Sequence, residues 1–173
     1  MPGIDGVDQD LSLRTGGRSR FTRIWKSGPG AAPAGPVHVS MNDYLIHRLR
    51  DIPRVAIAGL RLRRSWPATE GALGLWFAST GIGRRQVSVS IWESPEDLKR
   101  FVRSPAHRAV MHGFRNAGDL HTNAWTAEAF DRSLIWRQAE DRLLGRLPDV
   151  THHYLGDWHY PVSGRPLHRS SRE

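Results

Sequence analysis

The stretch "RQVSVSIWESPEDLKRFVRSPAHRAVMHGFRN", residues 85–116, decides how the chain is to be folded. Val87, Val89 and Ile91 alternate with Ser88, Ser90 and Trp92, the period-two pattern of a strand over 86–92. Ser94 then precedes Pro95 and stands three residues before Asp97, the arrangement of a capped helix start. Leu98, Phe101 and Val102 form its apolar stripe. "SPAH" repeats the start signal: Ser104 caps, Pro105 opens a further helix, and Val110, Met111 and Phe114 give its apolar face. His107 lies on that same face, four residues before Met111 and seven before Phe114.

Working outward, "VHVSMN" (37–42) alternates as a strand, and "DIPRVAIAGLRLRRS" (51–65) is a helix with Pro53 in its first turn. "ALGLWFAS" (72–79) is a second strand, joined to 86–92 through the glycine turn "TGIGRR" as a hairpin. The glycines of "GIG" (81–83) lie between two strands, so they form no nucleotide loop. "DLHTNAW" (119–125) is a fourth strand, and 126–147 reads as a terminal helix. The order β-α-β-β-α-β predicts an α+β domain of the ferredoxin-like split type, a four-stranded antiparallel sheet with helices on one face. It spans residues 37–147. Residues 1–36, with the Gly/Pro-rich "SGPGAAPAGP", read as a flexible leader, broken only by Phe21, Ile24 and Trp25, which could dock. Residues 148–173 read as a C-terminal tail.

Sorting the strands by alternation puts Val37, Val39, Met41, Leu73, Leu75, Phe77, Val87, Val89, Ile91, Leu120 and Ala124 beneath the helices. The opposite set is His38, Ser40, Trp76, Ala78, Ser88, Ser90, Trp92, His121, Asn123 and Trp125. Tryptophans mixed with hydroxyls, imidazoles and an amide suit a ligand lining, and equally a dimer interface. A second copy packed face to face would cover it. Trp76, Ser90, Trp92, Trp125 and His38 are therefore the substrate-binding candidates. His107, His121 and Asn123 are the catalytic ones, with Asn123 placed to donate to an oxyanion. His107 stays open between a structural ring bonded to a carbonyl and a general base.

Composition narrows the field. The 173-residue chain has no cysteine, which excludes disulfides, thiolate nucleophiles and Cys-based zinc sites. His152, His153, His159 and His168 match no zinc spacing, so no metal site is expected. The net charge of +8 is almost wholly arginine and sits largely in the tails; with no recognition motif, nucleic acid is not an expected partner. The polar N-terminus has no apolar signal core, and no stretch nears the ~20 apolar residues of a membrane span. A cytoplasmic location is expected.

The segment "VSVSIWESPEDLKRFVRSPAHRAVM" resembles the signature region of proteins related to the antibiotic biosynthesis monooxygenases, and within them the spheroidene-monooxygenase-like and DUF3291-like proteins. Ser90, Trp92, Ser104, His107 and Met111 carry the resemblance, Trp125 matches a later strand-ending tryptophan, and 51–66 resembles the group's first helix. The likeness covers residues 37–126. It implies a homodimeric α/β barrel of ferredoxin-like subunits. It also implies either a cofactor-free oxygenase of a hydrophobic aromatic or polyene substrate or a haem protein with His107 as axial ligand. A non-catalytic dimeric module that binds a small hydrophobic ligand is the competing expectation.

Overall fold

A computed structural model of the chain describes residues 21–80 and 82–147. The core elements follow the expected order: β2 (Val37–Ile46), α1 (Ile52–Ser65), β3 (Ala72–Thr80), β4 (Arg85–Trp92), α2 (Pro95–Arg103), α3 (Pro105–Phe114), β5 (Gly118–Ala127) and α4 (Arg132–Leu143), preceded by β1 (Phe21–Ser27). The helix starts are the capped ones read from the sequence. Ser94 Oγ accepts from the Asp97 N–H at 3.3 Å and donates to its carboxylate at 2.6 Å. Ser104 Oγ accepts from the His107 N–H at 3.3 Å. Each satisfies a donor that the first turn leaves unpaired.

The strands form one antiparallel sheet in the order β1-β3-β4-β2-β5. Its part β3-β4-β2-β5 is the ferredoxin-like split order, in which β2 and β4 pair at the centre although α1 and β3 separate them in sequence. The fifth strand is a correction to the leader. Phe21–Ser27 pairs along its whole length with β3. Gly74 makes this docking possible, because a Cβ there would overlap the Trp25 ring. Trp25 instead packs on Trp76 with ring centroids 4.3 Å apart. Residues 1–20 and the C-terminal tail, with its histidines, lie outside the described residues.

The faces of the sheet divide differently from the alternation reading. Val37, Val39, Met41, Val87, Val89 and Ile91 share a face with Trp76, Ala78 and Trp125, beneath α4. Leu75 and Phe77 lie on the other face with Trp66, Trp92, Leu98 and Phe101, beneath α1 and α2. Two physical causes account for this. A register shift between Ala72 and Gly74 inserts a residue in β3, so Leu73 and Leu75 face opposite ways. In β5 the pairing of Trp125 with Val39 and of Asn123 with Met41 fixes the aromatic set, not Leu120 and Ala124, on the aliphatic side.

The second face also has a cover of its own. The pairing of Val37 with Ala127 extends β5, so α4 starts only at Arg132, where Asp131 caps it by accepting from the Leu134 N–H at 2.9 Å. From there Ile135, Trp136, Ala139 and Leu143 bury against the sheet. Burying the Ile, Trp and Leu side chains contributes roughly 1.5–3 kcal/mol each. The covering role given above to a second copy is thus filled by the chain's own helix.

Beside α4 a buried ion pair ties the two central strands. Arg85 grips Asp43 through Nε at 2.8 Å and a second guanidinium nitrogen at 2.6 Å. This hydrogen-bonded fork is the largest cause holding the Arg85 pKa above the ordinary guanidinium value, against the opposing effect of burial. The Arg85 guanidinium also lies 5.6 Å from the centre of the Phe21 ring, which links β1 to the same point. Asp43→Ala should therefore leave a half-buried cation without its partner. The expected cost is about 3 kcal/mol or more in urea denaturation; a loss under about 0.5 kcal/mol would show the pair to be dispensable.

Candidate functional site

The polar alternates of the central strands, His38, Ser40, Asn42, Ser88 and Ser90, lie on the face covered by α1, α2 and α3. An amphipathic helix normally buries its stripe against the sheet. Neither α1 nor α3 has a buried residue along its whole length. What lies beneath them is a cavity of about 340 Å³. Its floor is Asn42, Tyr44, Leu75, Phe77, Ser88, Ser90 and Leu120, and its roof includes Val55, Leu62, Phe101, His107, Val110, Met111 and Phe114. A recess of about 40 Å³ adjoins it, sharing Asn42, His107 and Met111 and reaching Thr122. Among the described residues, no Asp or Glu lines either space.

His107 is held in one state. Its Nδ1 lies 3.2 Å from the carbonyl oxygen of Val102. A carbonyl only accepts, so Nδ1 carries the proton and Nε2 keeps the lone pair. Burial pushes the His107 pKa below the ordinary imidazole value, and the Val102 carbonyl opposes this more weakly. The ring packs on Phe101 at 4.8 Å between centroids. The result is a neutral, oriented base on the wall of a largely apolar cavity.

On the floor, Thr122 Oγ1 donates to Asn42 Oδ1 at 2.9 Å, which fixes the amide so that Nδ2 faces Ser88 Oγ at 3.5 Å. Ser88 thus receives a hydrogen bond and keeps its own O–H as a donor. Ser90 is occupied differently. It accepts from Trp92 Nε1 at 2.9 Å and donates to the Ser40 carbonyl at 3.2 Å. Tyr44 donates to the Phe114 carbonyl at 2.8 Å and so anchors the end of α3 to β2.

Of the eight residues singled out from sequence, the structure brings two into this cavity, His107 and Ser90. Trp92 and His38 are on the same face but buried, with Trp92 wedged between Trp66 and Phe101, each 5.1 Å away. Trp76, Trp125 and Asn123 are buried on the α4 side, and half-buried His121 alternates with them there. Trp125 donates to Gln138 Oε1 at 2.8 Å and carries the Arg142 guanidinium 4.2 Å over its ring. Asn42 and Thr122 are absent from the lining expected from sequence, and Ser88 stands in it without a role. The available signal was a run of short polar side chains at alternate positions of two central strands, which a packed interior would not contain.

Haem, the other expectation for His107, is not assigned to this space, and no step through haem is derived. Among the described residues no cluster of His, Asp or Glu could hold a metal ion, and no helix is long and apolar enough to cross a membrane.

No family model and no curated protein matches the sequence. Solved structures of similar shape include a Shewanella oneidensis protein, 11% identical, over 61% of this chain and 98% of that one, with a TM-score of 0.49. Another is an uncharacterized ferredoxin-fold protein related to antibiotic biosynthesis monooxygenases from Listeria monocytogenes, 16% identical, over 53% of this chain and 57% of that one, with a TM-score of 0.45. A third is SnoaB, a cofactor-independent oxygenase from Streptomyces nogalater, 14% identical, over 53% of this chain and 92% of that one, with a TM-score of 0.43. The chain spans about half the length of several of the structures it resembles. At these scores the fold assignment stands on the strand order itself.

The lowered His107 pKa has a sign that can be tested. The unfolded chain takes up the proton first, so His107 favours folding above its unfolded pKa of about 6.5, and that contribution is lost as pH falls through the folded value. Wild type should lose thermal stability between about pH 7.5 and pH 5 more steeply than His107→Gln. Parallel pH profiles of the melting temperature would show this ring to be readily protonated in the fold.

Proposed function

We propose that the protein is a cofactor-free oxygenase of the small monooxygenase type, acting on a slender apolar substrate held in the cavity between the sheet and α1–α3. The observation that carries this is the state of His107: neutral, oriented through Nδ1, with a basic Nε2, on the wall of a space that no carboxylate among the described residues lines. An activated C–H next to a carbonyl, phenol or polyene would lose its proton to Nε2. The oxygen that gains charge as this happens would accept from the Ser88 O–H, aimed by Asn42 and Thr122. The substrate anion supplies the electrons. A methylene reacting with dioxygen in this way gives a peroxide that loses water to leave a carbonyl, so CH2 and O2 become C=O and H2O. The half-buried apolar stripes of α1 and α3 would exclude bulk water once the substrate is in place.

One observation favours a binding module without turnover. His107 Nδ1 is oriented by a backbone carbonyl, which steadies the imidazole but stabilises an imidazolium less than a carboxylate would.

The deciding experiment is oxygen uptake by colourless protein with a panel of phenolic and polyene substrates, run beside a tryptophan-fluorescence titration. Turnover should fall roughly 10²–10⁴-fold in His107→Ala, with the ligand Kd kept within about threefold. Ser88→Ala should lower turnover by about 10-fold or more. Quenching without uptake in wild type would leave the binding module standing and remove the oxygenase.

A further inference from the structure

We infer that Arg115 anchors an anionic group of the ligand, so that this cavity selects an extended apolar monocarboxylate; the inference rests on the cavity being the ligand site. His107, Met111 and Arg115 follow one another at four-residue spacing along α3 and its C-cap, and all three line the cavity. Arg115 keeps helical dihedrals, φ −53° and ψ −28°, so the stripe runs unbroken to it. Among the described residues it is the one arginine or lysine lining the main space, and no Asp or Glu lines it. Two acids have partners of their own: Asp119 with His47 at 3.0 Å, and Asp51 with Arg54 at 3.7 Å. Arg115 has no ion pair among the described residues. A guanidinium presents a fork that matches a carboxylate.

One length then sets the ligand's reach. Eight residues of helix separate His107 from Arg115 by about 12 Å. An extended, unbranched or polyene carboxylic acid of about ten carbons spans that distance, its head at Arg115 and its far end near His107.

The test compares decanoate with 1-decanol, kept below micelle-forming concentrations, by tryptophan-fluorescence titration and calorimetry. Wild type should bind decanoate about tenfold more tightly than decanol. Arg115→Gln, on an exposed side chain, should erase that preference while decanol binding persists. Hexanoate, too short to span the stripe, should bind at least tenfold more weakly than decanoate. Equal binding of acid and alcohol to wild type, or a preference that survives Arg115→Gln, overturns the anchor and leaves the cavity in place. Failure of every chain to bind overturns the anchor together with the cavity reading beneath it.

Discussion

The structure depends on an asymmetry in how the sheet is covered. On one face α4 lies directly on the strands, and Val39, Val89, Ile91, Ile135 and Ala139 are fully sealed. On the other, α1 and α3 rest above a space. A small domain cannot hollow out both faces and stay folded, because its stability is a small difference between large terms. The dense α4 side supplies cohesion, and the α1–α3 side is free to be open. The Asp43–Arg85 fork lies on the dense side, where it fastens β2 to β4 directly behind the cavity floor. The floor can therefore carry Asn42 and Ser88 in a fixed relation although few contacts hold them from above.

The order of the core elements could be read from residues 37–147 because each boundary has a local cause. Ser94-Pro95 and Ser104-Pro105 start helices by satisfying unpaired N–H groups, and strand alternation is visible over a few residues. What could not be read were relations between distant segments. The inserted residue at Ala72/Gly74 changes which side Leu75 faces, yet "ALGLW" shows an unbroken alternation. The docking of Phe21–Ser27 depends on the missing side chain of Gly74, forty-nine positions after Trp25, and nothing near Trp25 announces it. The candidate site divides in the same way. His107 stood out because a histidine on an apolar helical stripe is anomalous by itself. Asn42 became meaningful only when β5 and β4 brought Thr122 and Ser88 to its two ends.

The site shows how few groups are needed to define a chemical environment. One backbone carbonyl sets the tautomer of His107, and burial keeps the ring uncharged. One threonine hydroxyl fixes which way an amide points, and that amide fixes a serine. Each restraint comes from a different element (α2, β5, β2), so the polar groups share a geometry that no single helix or strand could impose.

The lodging of Trp25 over Gly74 bears on how the protein behaves in solution. Without β1, the outer rim of β3 would offer a row of unmet amide and carbonyl groups, with the indole of Trp76 uncovered beside it. Such a rim invites other chains to add themselves as strands. The segment Phe21–Ser27 therefore shields the edge of β3 and the indole beside it, and shortening the protein to Val37 would leave both open to strand addition.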